Sequence, residues 1–330
     1  MIYKKLIWLT ALLALCVVVL GAFVRLSNAG LGCPDWPGCY GQIGAPDTSA
    51  QISRAESAFP NRPVIASKAW KEMIHRYFAG TLATLIIVIA YLSWRRHERL
   101  GLPVAIVGTV IFQALLGMWT VTLLLRPIVV SAHLLGGMTT LALLSWLGLR
   151  QTPPELVPPS IHAVRLRPYA IIALVVICVQ ICLGGWTSTN YAALACTGFP
   201  TCNGQWVPPM DLAHGFQLFR DLGKTASGAP LDYSALVGIH WMHRVGALIT
   251  FCYVGWLALK VKRVPGFRHL GFVLLALLFA QMGLGIANVE LSLPLPVAVA
   301  HNAGAALLLV TLTSINYLIY NASNRYRGRS

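Results

Sequence analysis

Eight apolar runs constrain this chain more than any other feature; they fall near 6–26, 72–94, 102–124, 128–149, 168–189, 236–259, 269–290 and 297–320. A run of about 20 apolar residues crosses the hydrocarbon core of a bilayer as an α-helix. No water is available there to pair with open backbone groups, so the runs must fold as helices that satisfy themselves. Of the residues, 57% are hydrophobic and only 11% charged. The expected fold is therefore an all-α integral membrane protein with eight transmembrane helices.

The net charge of +15 could suggest nucleic acid, but the basic residues sit in short segments between the runs. They read as orientation charges, with no nucleic-acid partner. Lys4 and Lys5 before the first run would suit a signal peptide. That run is long, lacks a small-x-small cleavage site and carries Arg25, so it reads as a retained span. Fifteen of the 25 basic residues gather on one side: Lys4 and Lys5, the segment 95–100, Arg150 to Arg167, 260–263 with Arg268, and Arg325, Arg327 and Arg329. Only Glu98 and Glu155 accompany them. Both termini are expected in the cytoplasm of a bacterial cell, and the long loops near 27–71 and 190–235 outside it. That outer compartment permits disulfides. Cys16, Cys178, Cys182 and Cys252 lie inside apolar runs and read as packing residues.

The chain also repeats itself. An offset of 163 carries Gly21 onto Gly184, Cys33 onto Cys196, Cys39 onto Cys202, Gly41 onto Gly204 and Gln42 onto Gln205. Beyond the first outer loop the offset becomes 168 and carries "EMIHR" at 72–76 onto "HWMHR" at 240–244, Gln113 onto Gln281, Gly117 onto Gly285 and His133 onto His301. Both copies start and end on the same side, so the repeat is parallel. The expectation is two tandem pseudo-symmetric four-helix bundles, 1–158 and 159–330, joined through "QTPPELVPPS" at 151–160.

Two constellations carry chemistry. The first is the pair of cysteine loops, "GCPDWPGCYGQ" at 32–42 and "ACTGFPTCNGQ" at 195–205. A staple, a redox pair and a metal site all fit them at this point. The second is His75, His133, His243 and His301. They sit at one level near the outward ends of their helices, two to each half, and opposed imidazoles are the usual axial ligands of a haem iron. Zinc fits less well, because no carboxylate or thiolate joins the second pair. Gly136, Gly137, Gly304 and Ala305 would leave room for a flat macrocycle, or would serve close helix packing. Arg76 and Arg244 follow two of the histidines and would grip haem propionates or, alternatively, lipid headgroups. The halves differ where Glu72 of the first faces His240 of the second. Glu72 shares a helix face with His75, which suits proton acceptance or stabilisation of positive charge. It also suits a plain helix-N-terminal acid.

These motifs, with "SAHLLGG" in the fourth span and "AHNAGAAL" in the eighth, resemble the haem A synthase family over nearly the whole chain. The resemblance implies oxidation of the C8 methyl of haem O to a formyl group, giving haem A for terminal oxidases. It implies His75 and His133 as axial ligands of the substrate haem, and His243 and His301 as ligands of a haem b cofactor. It puts Glu72 at the catalytic acidic position and leaves Arg76, Arg244 and His240 as propionate or neighbouring partners. Cys33 and Cys39 would be a redox disulfide, and Cys196 and Cys202 a structural one. Haem O and membrane lipid are the implied partners, with an oxidase and a haem O synthase as candidates and the electron acceptor and homo-oligomeric state open. A non-catalytic dihaem b-type cytochrome for quinol-linked electron transfer is the alternative. A transporter built from parallel repeats is a third, but its site belongs nearer the midplane than these histidines.

Overall fold

The computed structural model describes residues 2–152 and 158–327. Glu155, Arg329 and the middle of the 151–160 linker lie outside the described residues. The elements are α1 (Ile2–Leu26), α2 (Ser49–Ala58), α3 (Ala66–Arg95), α4 (Gly101–Thr122), α5 (Pro127–Arg150), α6 (Ile161–Thr189), α7 (Leu212–Gly215), α8 (Tyr233–Val261), α9 (Arg268–Glu290) and α10 (Leu295–Arg327). Among the described residues, eight of these are long and apolar enough to cross a membrane, all except α2 and α7. The protein is a multi-pass membrane protein.

Several helices outrun the apolar stretches that announce them. α3 starts at Ala66 rather than near 72, and α6 starts at Ile161 rather than near 168. Backbone pairing does not stop at the bilayer edge, and α6 runs on through Pro168 to begin at Ile161. Ser160 caps α6 by accepting from the His162 N–H, and Pro127 opens α5 where its missing N–H costs nothing. The short helix α2 escapes an apolar-run reading because it is polar. A capping box of Thr48 and Gln51 marks its start.

The neighbour relations are the same in both halves. α1, α3, α4 and α5 close a ring in that order, and so do α6, α8, α9 and α10. The halves meet through α1 on α10, α5 on α6 and α5 on α10. Left-handed backbone positions also recur at the two offsets: Asn28 and Tyr191, Tyr40 and Asn203, Leu124 and Ser292, Leu125 and Leu293. The core runs mid-bundle, where Ala14, Ala170, Ala173, Ala258 and Ala306 are buried and let helix backbones approach. Leu12, Ile87, Phe112, Val175, Leu248 and Phe279 point outward, where a lipid tail is as good a neighbour as another helix. Cys16, Cys178, Cys182 and Cys252, expected as packing residues, are also on the outer surface.

Polar contacts fix the two ends. At the end rich in basic residues, Tyr3 bonds Ser93 at 2.5 Å, Arg96 lies 5.0 Å over the Tyr3 ring, and Gln151 donates to Glu98 at 2.9 Å. In the second half, Asn316 donates to the Ala170 carbonyl at 2.9 Å. At the other end the loop between α6 and α8 crosses to the first half. Arg126 pairs with Asp221 at 2.9 Å, and Ile128 packs with Trp186, Phe216 and Ile239.

The junction between the halves is tight at Gly185, where an added Cβ would lie 2.9 Å from Leu134. Gly185→Leu should lower stability by about 1–3 kcal/mol through overpacking. Thermal unfolding in detergent measures this, with Gly108→Leu, at an open position, expected to leave the transition in place.

Candidate functional site

The four helix histidines are placed by a contact that the repeat writes twice. Each imidazole lies against a glycine of the next helix. A Cβ on Gly21 of α1 would be 3.0 Å from Cε1 of His75, and one on Gly184 of α6 would be 3.1 Å from Cε1 of His243. Gly117 of α4 stands 3.4 Å from His133 in the same sense, and Gly285 of α9 stands 3.1 Å from His301. The rings occupy the space that any larger residue would fill. The equivalence of Gly21 with Gly184 and of Gly117 with Gly285 is visible in the sequence, but their service as ring seats is not.

Each ring is enclosed by protein yet keeps some accessible surface. His75 lies near His133, and His243 near His301. In the second half a cavity of about 800 Å³ lies between α6, α8, α9 and α10, lined by both His243 and His301. Its size suits a bound organic group, and its walls are mostly apolar with a few polar side chains. The Nδ1 atoms of His75, His133 and His301 are buried without hydrogen-bond partners, which leaves Nε2 as the nitrogen of each ring that could hold a ligand. Among the described residues no three His, Cys, Asp or Glu side chains gather around a point that would hold a bare metal ion. Two opposed imidazoles beside a roomy apolar cavity therefore fit a haem, which brings its own four equatorial ligands and needs only the axial pair.

Glutamines accompany these rings. Gln180 lies 3.0 Å from Nδ1 of His243 and donates to the His243 carbonyl at 3.1 Å, while Gln281 lies 3.3 Å from Nε2 of His301. The space at Gly136 and Gly304, expected to admit a macrocycle, is taken by the side chains of Gln113 and Gln281. Gly137 faces Val18, and Ala305 does line the cavity.

One turn before His75 and His243, a second device repeats with different residues. Glu72 is buried; its Oε2 accepts from the Cys33 N–H at 3.0 Å and its Oε1 from Arg76 at 2.6 Å. His240, equally buried, has Nδ1 3.1 Å from the Cys196 nitrogen and Nε2 3.2 Å from Arg244 Nε, and a neutral imidazole accepts one of these two bonds. The carboxylate and the imidazole do the same job: each ties the first cysteine of a loop to a histidine helix. The arginines complete the clamp. Arg76 donates to the carbonyls of Asp35, Pro37 and Gly38, and Arg244 to those of Cys196, Gly198 and Thr201.

Both loops are closed by disulfides, Cys33–Cys39 and Cys196–Cys202. Each ends in a tight turn with two left-handed residues, Tyr40–Gly41 and Asn203–Gly204, bonded between Cys39 and Gln42 and between Cys202 and Gln205. All four sulfurs are buried. The first disulfide lies under Tyr40, Ala55 of α2 and Met73, and burial raises the Tyr40 phenol above its ordinary value. The second lies against the cavity, where Cys202, Phe199 and Trp206 form part of the wall.

Comparison with known proteins agrees in extent with the repeat. The model of the COX15-CtaA family, described as cytochrome oxidase assembly protein, matches residues 4–313. The chain is 45% identical to the heme A synthase of Shewanella oneidensis over 324 residues, covering 97% of this chain and 98% of that one. It is 27% identical to the heme A synthase of Halalkalibacterium halodurans over 320 residues, with 93% of each chain covered.

The glycine seats make a direct prediction. Gly184→Leu would push the His243 ring from its place, so haem retained after purification should fall roughly ten- to hundred-fold, as for other losses of ligand positioning. Gly283→Leu, two residues from the Gly285 ring seat but facing open space, should keep its haem; absorbance per mole of protein decides.

Proposed function

The chain belongs to the COX15-CtaA family of cytochrome oxidase assembly proteins, and from that premise we propose that it is a haem A synthase. It oxidises the C8 methyl of haem O to a formyl group and so supplies haem A for a terminal oxidase. The observation that carries this reading is the doubled imidazole pair, each ring seated on a glycine and the second pair lining one cavity. Such a chain can hold two haems at one depth, one to be changed and one to serve.

In this reading the first half, 1–158, takes the substrate, with His75 and His133 as axial ligands of haem O. The second half, 159–330, holds haem b between His243 and His301. Haem b, when bound, supplies a one-electron redox centre. The protein's own work is to fix the imidazoles, exclude water from the apolar cavity and hold charge near the first pair. Glu72 is the group that distinguishes the halves. Its carboxylate sits one turn from His75, oriented by Arg76 and by the Cys33 N–H. That placement suits an acid that stabilises positive charge developing at the substrate, or accepts its proton.

The cysteine loops are assigned to the outer face of a bacterial cytoplasmic membrane, with both termini in the cytoplasm. The clustering of basic residues at the opposite end supports this. Cys33–Cys39 is proposed as the redox-active pair and Cys196–Cys202 as structural. Thiol exchange needs access, so the redox role requires the cover of Tyr40 and α2 to open.

Because Glu72 and His240 are interchangeable as loop anchors, Glu72→His separates anchoring from chemistry. The variant should keep fold and haem content but lose haem A formation by at least about 100-fold, read by extraction and mass analysis of haems from cells. Haem A formation at the unsubstituted rate would leave Glu72 an anchor only, whereas absence of haem A from cells carrying the unsubstituted chain would favour the dihaem cytochrome. Serine at both 33 and 39 should reduce turnover more than the melting temperature, whereas serine at 196 and 202 should reduce both together. Equal losses in the two double variants would make both loops staples.

A further inference from the structure

Arg25 stands at the end of α1 in the first half, yet its side chain lines the cavity of the second half, where His243 and His301 lie. Its Nη2 donates to the carbonyls of Ser188 and Thr189 at 2.9 and 3.4 Å, and its guanidinium stacks 4.1 Å over the Tyr191 ring. These contacts hold the group in place without neutralising it. Nε is buried and has no hydrogen-bond partner, and among the described residues no carboxylate pairs with Arg25. A half-buried guanidinium at the edge of an apolar cavity, with no carboxylate of its own, suits an anion bound in that cavity.

The repeat makes the feature one-sided. The residue matched to Arg25 at the offset of 163 is Ser188, the residue whose carbonyl Arg25 binds. Two equivalent positions thus meet across the junction, and only one carries charge. Arg244, which is closer in sequence to His243, already has its donors on His240 and on loop carbonyls. Arg25 is the cavity-lining arginine with an unanswered donor.

The geometry points to Arg25 as the anchor for a carboxylate of the group bound in the second-half cavity, a residue supplied across the junction by the first half. This rests on the haem reading above: a porphyrin edge bearing carboxylate side chains is the anion that a cavity with two axial imidazoles would present to it. A bidentate, charge-assisted contact from a preorganised guanidinium would both retain the haem and raise its reduction potential, because a fixed positive charge disfavours the ferric state. The second site is then incomplete without α1, the same helix whose Gly21, four residues earlier, seats His75.

The test uses the full chain in a His133→Ala background, which leaves the second-half haem as the bis-histidine species. Arg25→Gln keeps a donor for Ser188 but removes the charge. It should lower the midpoint potential and speed haem transfer to apomyoglobin by roughly ten-fold or more, with Arg25→Lys recovering part of both. Unchanged potential and transfer rate in a folded Arg25→Gln protein would overturn the anchor. With Arg25 left in place, haem dimethyl ester should be held at least about ten-fold more weakly than haem; equal retention would overturn the anchor even where the variants fail to fold. A chain that retains Arg25 and all four histidines but binds no haem at all would instead overturn the haem reading itself.

Discussion

An imidazole pressed against a glycine is the contact on which the rest of this structure depends. It recurs four times, and each instance joins two neighbouring helices of one ring. The glycine lets the ring lie close to the helix backbone, and the ring holds the helices at a separation that leaves room beside it. A larger residue at the seat would drive the ring into the cavity. A smaller side chain in place of histidine would let the helices close. The cavity in the second bundle is therefore a consequence of the ring–glycine pairs and not an accident of loose packing.

Around that contact the two halves build the same loop clamp with different chemistry. A buried acceptor one turn before the histidine takes the first cysteine N–H, and an arginine four residues after the acceptor takes loop carbonyls. Glutamate and histidine both satisfy the N–H, which is why the substitution between halves is tolerated structurally. The carboxylate nevertheless brings a charge that the imidazole lacks. A duplicated scaffold can change function at such a position because its structural duty is shared by both residue types, leaving the charge free to be selected.

The junction breaks the symmetry further. α1 carries an arginine where α6 carries a serine, and the arginine leans across into the other half's cavity. The second outer loop leans the opposite way, through Arg126–Asp221 and the cluster at Ile128. Each half thus contributes a piece of the other's outer end, so two bundles that look separable by repeat are interlocked where the sites lie.

The sequence by itself determined the number of spans and the duplication of the histidine and cysteine motifs. Those follow from one-dimensional facts: run length against bilayer thickness and two constant offsets. The polar helix α2 and the early starts of α3 and α6 escaped it, because capping and backbone pairing are indifferent to hydropathy. Tertiary structure alone decided what the polar side chains touch. Spacing put Glu72 on the face of His75, but the fold sent both its oxygens to Arg76 and the cysteine loop; spacing made Arg76 and Arg244 candidates for propionates, but loop carbonyls took their donors. Arg25 looked like a span-end charge and became the cation of a cavity in the other half. A hydrogen bond is fixed by direction and distance between elements far apart in the chain, and no period or offset encodes those until the helices have packed.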